Sequence, residues 1–315
     1  MNKVLGNKIL NKIKEYDNIF IFGHIRPDGD CYGSQFGLQE IIKYNFPKKK
    51  VFVITDKCDY VAFLGSGEEI DEQLLVNGLA ICVDTGNASR VSNQAFLSAM
   101  EIIKIDHHEP EDHYGNINYE LPDYPATCQI ITEIAMELGL KVNKAAARAL
   151  FVGIVTDTGW FHYRGVTELT FQCAGFLTNN GVEVDEISDK LGGISLNELR
   201  FKGVVIDLLK WRGGFLYCVL TKEIIEKYGL TDEQASNCVN YFSQVEGFPI
   251  WALIIENQNG NIRIRLRSNG INVVPLAHKY QGGGHEMAVG AKLANWNELE
   301  NFINDGAQTV EDSKK

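Results

Sequence analysis

Through the first half of the chain, short apolar runs alternate with longer stretches of helical period. The runs at 18–22, 51–54, 79–83 and 101–105 predict strands, and 31–44, 127–138, 143–155 and 168–178 predict helices. Strand followed by helix, repeated, predicts an α/β fold: a parallel sheet with helices on both faces. The opening MNKVLGNKILNKIKEYD interrupts its apolar positions with lysines, as an amphipathic helix does and a signal peptide does not.

The rhythm breaks over 179–193, where NNGVEVDEISDKLGG is polar and acidic, suiting a linker or a short connecting helix. A helix over 196–209 follows, then a strand at 215–221, a helix at 231–242, strands at 249–256 and 261–267, and one near 287–292. Asn257-Gln258-Asn259-Gly260 between two strand-like runs signals a hairpin. The second half therefore reads as a smaller mixed α/β domain. The expected division is 1–185, a linker with the start of a connecting helix at 186–200, and 201–315.

Composition narrows the picture. With 315 residues and 45% hydrophobic content, two packed domains fit better than a disordered chain. No apolar run approaches the ~20 residues that span a bilayer, so no membrane association is expected. Seven scattered cysteines without a CxxC pair suit reduced core residues of a cytoplasmic protein. A net charge of −11 argues against gripping long duplex nucleic acid, though an anionic substrate can still meet a local basic patch.

The chemistry gathers where apolar runs end. In sheets of this kind ligands collect beyond the carboxyl ends of the strands, and His24, Asp84 and Asp106 each follow such an end. GHIRPDGDCYGS at 23–34 holds His24, Asp28 and Asp30 in a loop built by Pro27 and Gly29, and Gly33 and Ser34 fall in the next helix's first turn, where phosphate can be met. VDTG carries Asp84, DHH carries Asp106, His107 and His108, and TDTG carries Asp157. Taken singly each is weak: a Pro-Asp-Gly-Asp turn is more often a solvated cap, and Asp-Thr-Gly also occurs in all-β aspartic proteases. Together, carboxylates and imidazoles, with no cysteine in the motifs' ligand-type positions, suit Mn²⁺ or Mg²⁺ better than a structural zinc. Asp84 has two oxygens with which to bridge two ions, His107 has a neutral nitrogen for one, His108 can reach phosphate or water, and Asp106 can orient an imidazole. His113, His162 and His278 lack such spacing. Trp160, Phe161 and Tyr163 read as core more readily than as a base-stacking surface.

A second constellation lies downstream. Arg263, Arg265 and Arg267 alternate with Ile262, Ile264 and Leu266, so period two puts three guanidiniums on one strand face. Between 261 and 292 there are five Lys or Arg against one acidic residue. Gln281-Gly282-Gly283-Gly284-His285 then offers a glycine loop where backbone amides can approach an anion. The plainer alternative is a charged edge strand followed by a flexible loop.

In that order, GHIRPDGDCYGS, VDTG, DHH and TDTG resemble the DHH phosphoesterase family, and the later RLRS and GGGH resemble its DHH-associated C-terminal domain. The resemblance covers nearly the whole chain. Size and layout look most like the stand-alone oligoribonucleases that also act as phosphatases of pAp (3′-phosphoadenosine 5′-phosphate). It implies two divalent cations, Mn²⁺ before Mg²⁺, one held by His24, Asp28 and Asp84 and the other by Asp30, Asp84, His107 and Asp157. It implies that Arg267, Ser268, Gly283, Gly284 and His285 grip the substrate's phosphates or terminal nucleotide. Cys31 stands where alanine is common in the first motif, and no loss of activity is expected from it.

The reaction expected is in-line attack of an activated water on phosphorus, without a covalent protein intermediate. Catalytic roles fall to Asp84 and His108. A grip on the far end would favour single-stranded RNA or DNA of about two to five nucleotides, or pAp, over long strands. Two alternatives stand beside this: a phosphodiesterase acting on cyclic di-AMP or its linear dinucleotide product, and an inactive nucleotide-binding protein. A homodimer is left open.

Overall fold

The computed structural model describes residues 3–314 apart from 111, 164 and 244, and it divides into two compact units, Met1–Gly193 and Ile194–Lys315. The division falls inside the segment expected to link the domains.

The first unit runs α1 (Lys3–Glu15), β1 (Asn18–Phe22), α2 (Gly29–Asn45), β2 (Lys50–Ile54), α3 (Glu72–Val76), β3 (Leu79–Val83), β4 (Glu101–Asp106), β5 (Ile117–Glu120), α4 (Thr127–Leu138), α5 (Lys144–Asp157), α6 (Glu168–Asn179) and α7 (Val184–Gly192). Its sheet is wholly parallel, in the order β2-β1-β3-β4-β5. β3 is buried at every position, which explains an unbroken apolar run in the sequence. One face carries the larger core, built with α1, α2, α4 and α5. Against the other face pack Leu75 of α3, Phe96 of a 3-10 turn, and the outward-alternating Phe20, Phe22, Ala80 and Cys82. Helices thus lie on both faces, unequally.

α2 and α5 lie side by side and carry much of the site. Their approach is set by glycine: a Cβ on Gly33 would lie 2.5 Å from the Ala149 carbonyl oxygen, and one on Gly37 would lie 2.6 Å from the Leu150 side chain. α5 starts at Asn143, whose side chain accepts the Ala146 N–H at 2.8 Å. α4 ends on Gly139 in the left-handed conformation.

The second unit runs α8 (Leu196–Asp207), β6 (Lys210–Arg212), β7 (Phe215–Leu220), α9 (Lys222–Lys227), α10 (Asp232–Asn237), β8 (Ile250–Glu256), β9 (Ile262–Ser268), α11 (Val274–Lys279), β10 (Gly283–His285), β11 (Ala288–Leu293) and α12 (Leu299–Asp312). Its mixed sheet has the order β10-β11-β9-β8-β7-β6. One core packs under α11 and α12, and another packs with Phe201 and Val205 of α8 on the opposite face. The expected helix over 231–242 is shorter, because the chain tightens into a 3-10 turn at Cys238–Phe242. Among the described residues no helix is long and apolar enough to cross a membrane.

Candidate metal centre

Three strand ends and two helix ends converge in the first unit. Gly23 and His24 continue from β1, Asp84 follows β3 directly, and Asp106 closes β4 ahead of His107 and His108. Asp28 and Asp30 stand at the start of α2, and Asp157 is the last residue of α5.

Local structure gives each carboxylate its direction. Asp28 caps α2, its Oδ1 accepting the Asp30 and Cys31 N–H groups at 3.1 Å. Asp30 is fully buried and faces the start of α4, whose cap residue Ala126 has no side-chain acceptor. Thr127 N–H donates to Asp30 Oδ2 (2.6 Å) and Cys128 N–H to Asp30 Oδ1 (2.9 Å), so a carboxylate on α2 satisfies the free amides of α4. Asp84 holds φ at 55°, a left-handed backbone that costs a non-glycine residue about 1 kcal/mol or more. Its N–H bonds Ile105 O at 3.0 Å, which fixes the strained turn.

Both oxygens of Asp84 are used, in different directions. Oδ2 lies 3.5 Å from His24 Nε2, while Oδ1 lies 3.4 Å from His107 Nε2 and accepts the Thr127 hydroxyl at 3.2 Å. His24 Nε2 is also 3.7 Å from Asp28 Oδ1. His107 Nε2 is 3.3 Å from Asp157 Oδ2 and 3.9 Å from Asp30 Oδ2. Each ring turns its other nitrogen to a backbone carbonyl: His24 Nδ1 meets Ile25 O (2.9 Å), and His107 Nδ1 meets Tyr124 O (3.0 Å). A carbonyl only accepts, so Nδ1 carries a proton and Nε2 is the nitrogen turned to the carboxylates. Either a second ring proton or a bound cation resolves that encounter of nitrogen and anions.

The electrostatics agree. Burial pushes Asp157 well above the usual carboxylate range, and Asp30, Asp84 and Asp28 push it further. Burial raises Asp30 as well, with Asp84 adding to it and His107 opposing. Burial alone would raise Asp84 and lower the two histidines, but their mutual attraction outweighs it, so Asp84 is lowered and His24 and His107 are raised. Four crowded carboxylates and two imidazoles, with oxygen donors dominant, fit divalent cations. Among the described residues, donor atoms lie within 4.8 Å of one another in His24–Cys31–Asp84, Asp84–His107–His108 and Asp30–His107–Asp157. Cys31 is the weak member: burial pushes its thiol up to about 12, and its sulfur accepts the His24 N–H at 3.2 Å.

His24, Asp28, Asp30, Asp84, His107 and Asp157 thus all come together. His108 stands beside them, less buried, with Nδ1 at 2.8 Å from Asp106 Oδ1. Gly33 and Ser34, expected to meet phosphate, do not face the site. Gly33 is pressed against α5, and Ser34 is buried with its hydroxyl donating to Cys31 O at 3.0 Å. Phe161 stacks on Phe171 and Trp160 is half-buried against the core, but Tyr163 and Phe171 are exposed, so the expected core cluster is only partly core. Tyr60, Thr127 and Tyr124 carried no signal in the sequence. Tyr60 comes from a 3-10 turn, and burial, with Asp28 beside it, pushes up its hydroxyl, which hydrogen-bonds the Gly29 backbone.

In the second unit β9 alternates as expected, with Ile262, Ile264 and Leu266 buried and Arg263 and Arg265 exposed. It is an interior strand, not an edge. The glycine run is not a free loop: Gly283–His285 form the edge strand β10, paired antiparallel with β11. Opposed residues of antiparallel strands share a face, so Arg267, Ala288 and His285 form one row and Arg265, Gly290 and Gly283 the next. A Cβ on Gly284 would lie 2.7 Å from Ala288 O, whereas Gly283 opens to free space. Ser268 is buried and its hydroxyl donates to Ile271 O, which holds a turn. Arg267 donates to Leu266 O at 3.0 Å.

Comparison with known proteins follows the same division. Residues 18–154 match the DHH family N-terminal domain, and 213–312 match the DHHA1 domain. The bifunctional oligoribonuclease and PAP phosphatase of Mycoplasma genitalium is 35% identical over 316 residues, covering 98% of this chain and 99% of that protein. Its Bacillus subtilis counterpart is 33% identical over 305 residues, covering 96% and 97%. An exopolyphosphatase-related protein from Bacteroides fragilis shares the fold, with a TM-score of 0.87 at 23% identity over 97% of this chain and 96% of that one. With both domain models matched in order and full-length relatives above 30% identity, this chain belongs to the DHH family, with a DHHA1 domain as its second unit.

Proposed function

We propose that this chain is a metal-dependent phosphoesterase that cleaves short oligonucleotides to mononucleotides and pAp to AMP and phosphate. The observation that carries the reading is Asp84, whose two oxygens face the Nε2 atoms of two different imidazoles within a nest of further carboxylates. Nearly full-length relatives named for both activities support the substrate class.

In this reading His24, Asp28 and Asp84 would hold one divalent cation, and Asp30, Asp84, His107 and Asp157 would hold a second, with Mn²⁺ the first candidate and Mg²⁺ the alternative. Such cations supply Lewis acidity toward phosphate oxygens and acidify water. The side chains set the rest. Nδ1–H donation to Ile25 O and Tyr124 O keeps the lone pairs of His24 and His107 aimed inward. Asp30, anchored by two α4 amides, cannot swing away from the cluster. His108, with Nδ1 taken by Asp106, presents Nε2 to a phosphate oxygen, where its proton offsets charge that grows as the bond to the leaving oxygen breaks. In the second unit Arg267, Gly283, Gly284 and His285 bind the substrate's remaining phosphate or terminal nucleotide, and Ser268 shapes the turn beside them.

The test is hydrolysis with Mn²⁺ of pAp, the linear dinucleotide pApA, cyclic di-AMP and a 24-residue single strand. The reading expects turnover of pAp and pApA at rates at least tenfold above the other two. Preference for cyclic di-AMP would move the assignment to the cyclic dinucleotide, and no turnover of any would remove the enzyme reading.

A further inference from the structure

The strand that delivers the DHH motif also delivers a lysine. Period two places Ile103 and Ile105 of β4 in the larger core and turns Lys104 and Asp106 to the opposite face. Both of these charged side chains are 0% exposed. A fully buried lysine is rare and costly unless paired, and neither the cation set nor the arginine row uses it.

Its contacts account for every donor. The ammonium gives its three N–H groups to Gly86 O (2.8 Å), Asp112 O (3.1 Å) and Glu120 Oε1 (2.6 Å), with the Tyr114 ring 5.1 Å away. Gly86 lies two residues after Asp84, and Asp112 lies four after His108, so one ammonium ties down both loops that follow β3 and β4. A fourth neighbour, Asp106 Oδ2, is 3.6 Å away and has no hydrogen-bond partner. With the donors spent, Lys104 holds that oxygen by charge. The opposite oxygen of Asp106 is the one that meets His108, at Nδ1 (2.8 Å) and at the backbone N–H (3.3 Å).

We propose that Lys104 is a positioning residue for His108: its buried ammonium fixes the Asp106 carboxylate, and that carboxylate locks the His108 ring with Nδ1–H inward and Nε2 toward the substrate. The inference rests on the phosphoesterase reading only in giving Nε2 a substrate to face. Without the ammonium, Asp106 is a buried anion with nothing opposite Oδ2, and it relaxes by rotating, which frees the ring.

The experiment is a double-mutant cycle between Lys104→Met and His108→Ala, on the metal-loaded full chain with pAp. Lys104→Met is expected to lower kcat by about 10–100-fold with KM within about twofold. In the His108→Ala background the same substitution should cost less than about threefold, because its target is gone. An equal loss in both backgrounds would show a merely structural lysine and overturn the proposal, as would full activity of Lys104→Met. Should Lys104→Met fail to fold, Lys104→Met/Glu120→Gln removes the buried pair together and carries the same comparison. Nitrogen-15 spectra of the His108 ring give a readout independent of turnover. The native chain should show one Nδ1–H signal hydrogen-bonded to Asp106 and the lysine variant a mixture of ring states, whereas a native mixture overturns the proposal even if the chain hydrolyses nothing.

Discussion

At Asp157 burial and three neighbouring carboxylates act on one side chain, and all of them favour its protonated form. A carboxylate raised in the folded state costs stability once pH passes its unfolded value near 3.9, and the cost grows as pH climbs toward the raised value. Asp30 acts in the same direction. His24 and His107, also raised, contribute stability that is full below about 6.5 and is lost as pH rises through their folded values. Asp84, lowered, opposes them only below about pH 4. The metal-free chain should therefore melt lower as pH rises from 5 to 8, and the gain in Tm on adding Mn²⁺ should grow over the same interval, as scanning calorimetry would show. Replacing one repelling carboxylate should reverse the balance. Asp157→Asn is expected to raise the metal-free Tm at pH 8 while losing most of the Mn²⁺-induced gain. A lower metal-free Tm in that variant would mean the carboxylates are not in conflict.

The element that fixes the site is the α2–α5 pair, because Asp30 opens one helix and Asp157 closes the other. Gly33 lets them touch, and a methyl there meets the Ala149 carbonyl oxygen at 2.5 Å. Gly33→Ala should force the helices apart, cost about 1–3 kcal/mol in denaturant unfolding, and weaken Mn²⁺ binding by at least tenfold. A loss of stability with unchanged Mn²⁺ affinity would separate the packing from the site. The elements of the first unit were largely legible in the sequence, since β1 to β4 and α4 to α6 bury strongly periodic runs. β5 was not, because INYE is a short, half-exposed edge strand. β10 escaped notice because Gly283–His285 carries none of the β-branched or aromatic residues that mark a strand. Lys104 hid for a related reason. In a sequence it reads as one charge in an apolar strand, and only the fold brings Gly86, Asp112 and Glu120 to it.

For the whole molecule, Arg263, Arg265 and Arg267 line one strand of the second unit's sheet, while the carboxylates and imidazoles proposed to bind cations all lie in the first unit. Motif order allowed both groups to be recognised, yet only the strand register shows Arg267 and His285 in a single row and adds Arg265 and Gly290 beside them. Arg267→Ala should raise KM for pAp by about 10-fold or more while leaving kcat and Mn²⁺ binding near native, since a binding group lost equally from ground and transition states changes KM alone. An unchanged KM on both pAp and pApA would take that row out of substrate binding.

The central claim is that separated carboxylates and imidazoles share a pair of cations through Asp84. Counting bound Mn²⁺ by electron paramagnetic resonance, in the native chain and in Asp84→Asn, tests it most directly. The account predicts two ions per native chain, with at least one lost from the variant along with pAp hydrolysis. Two ions bound with native affinity by Asp84→Asn, or none by the native chain, would contradict it.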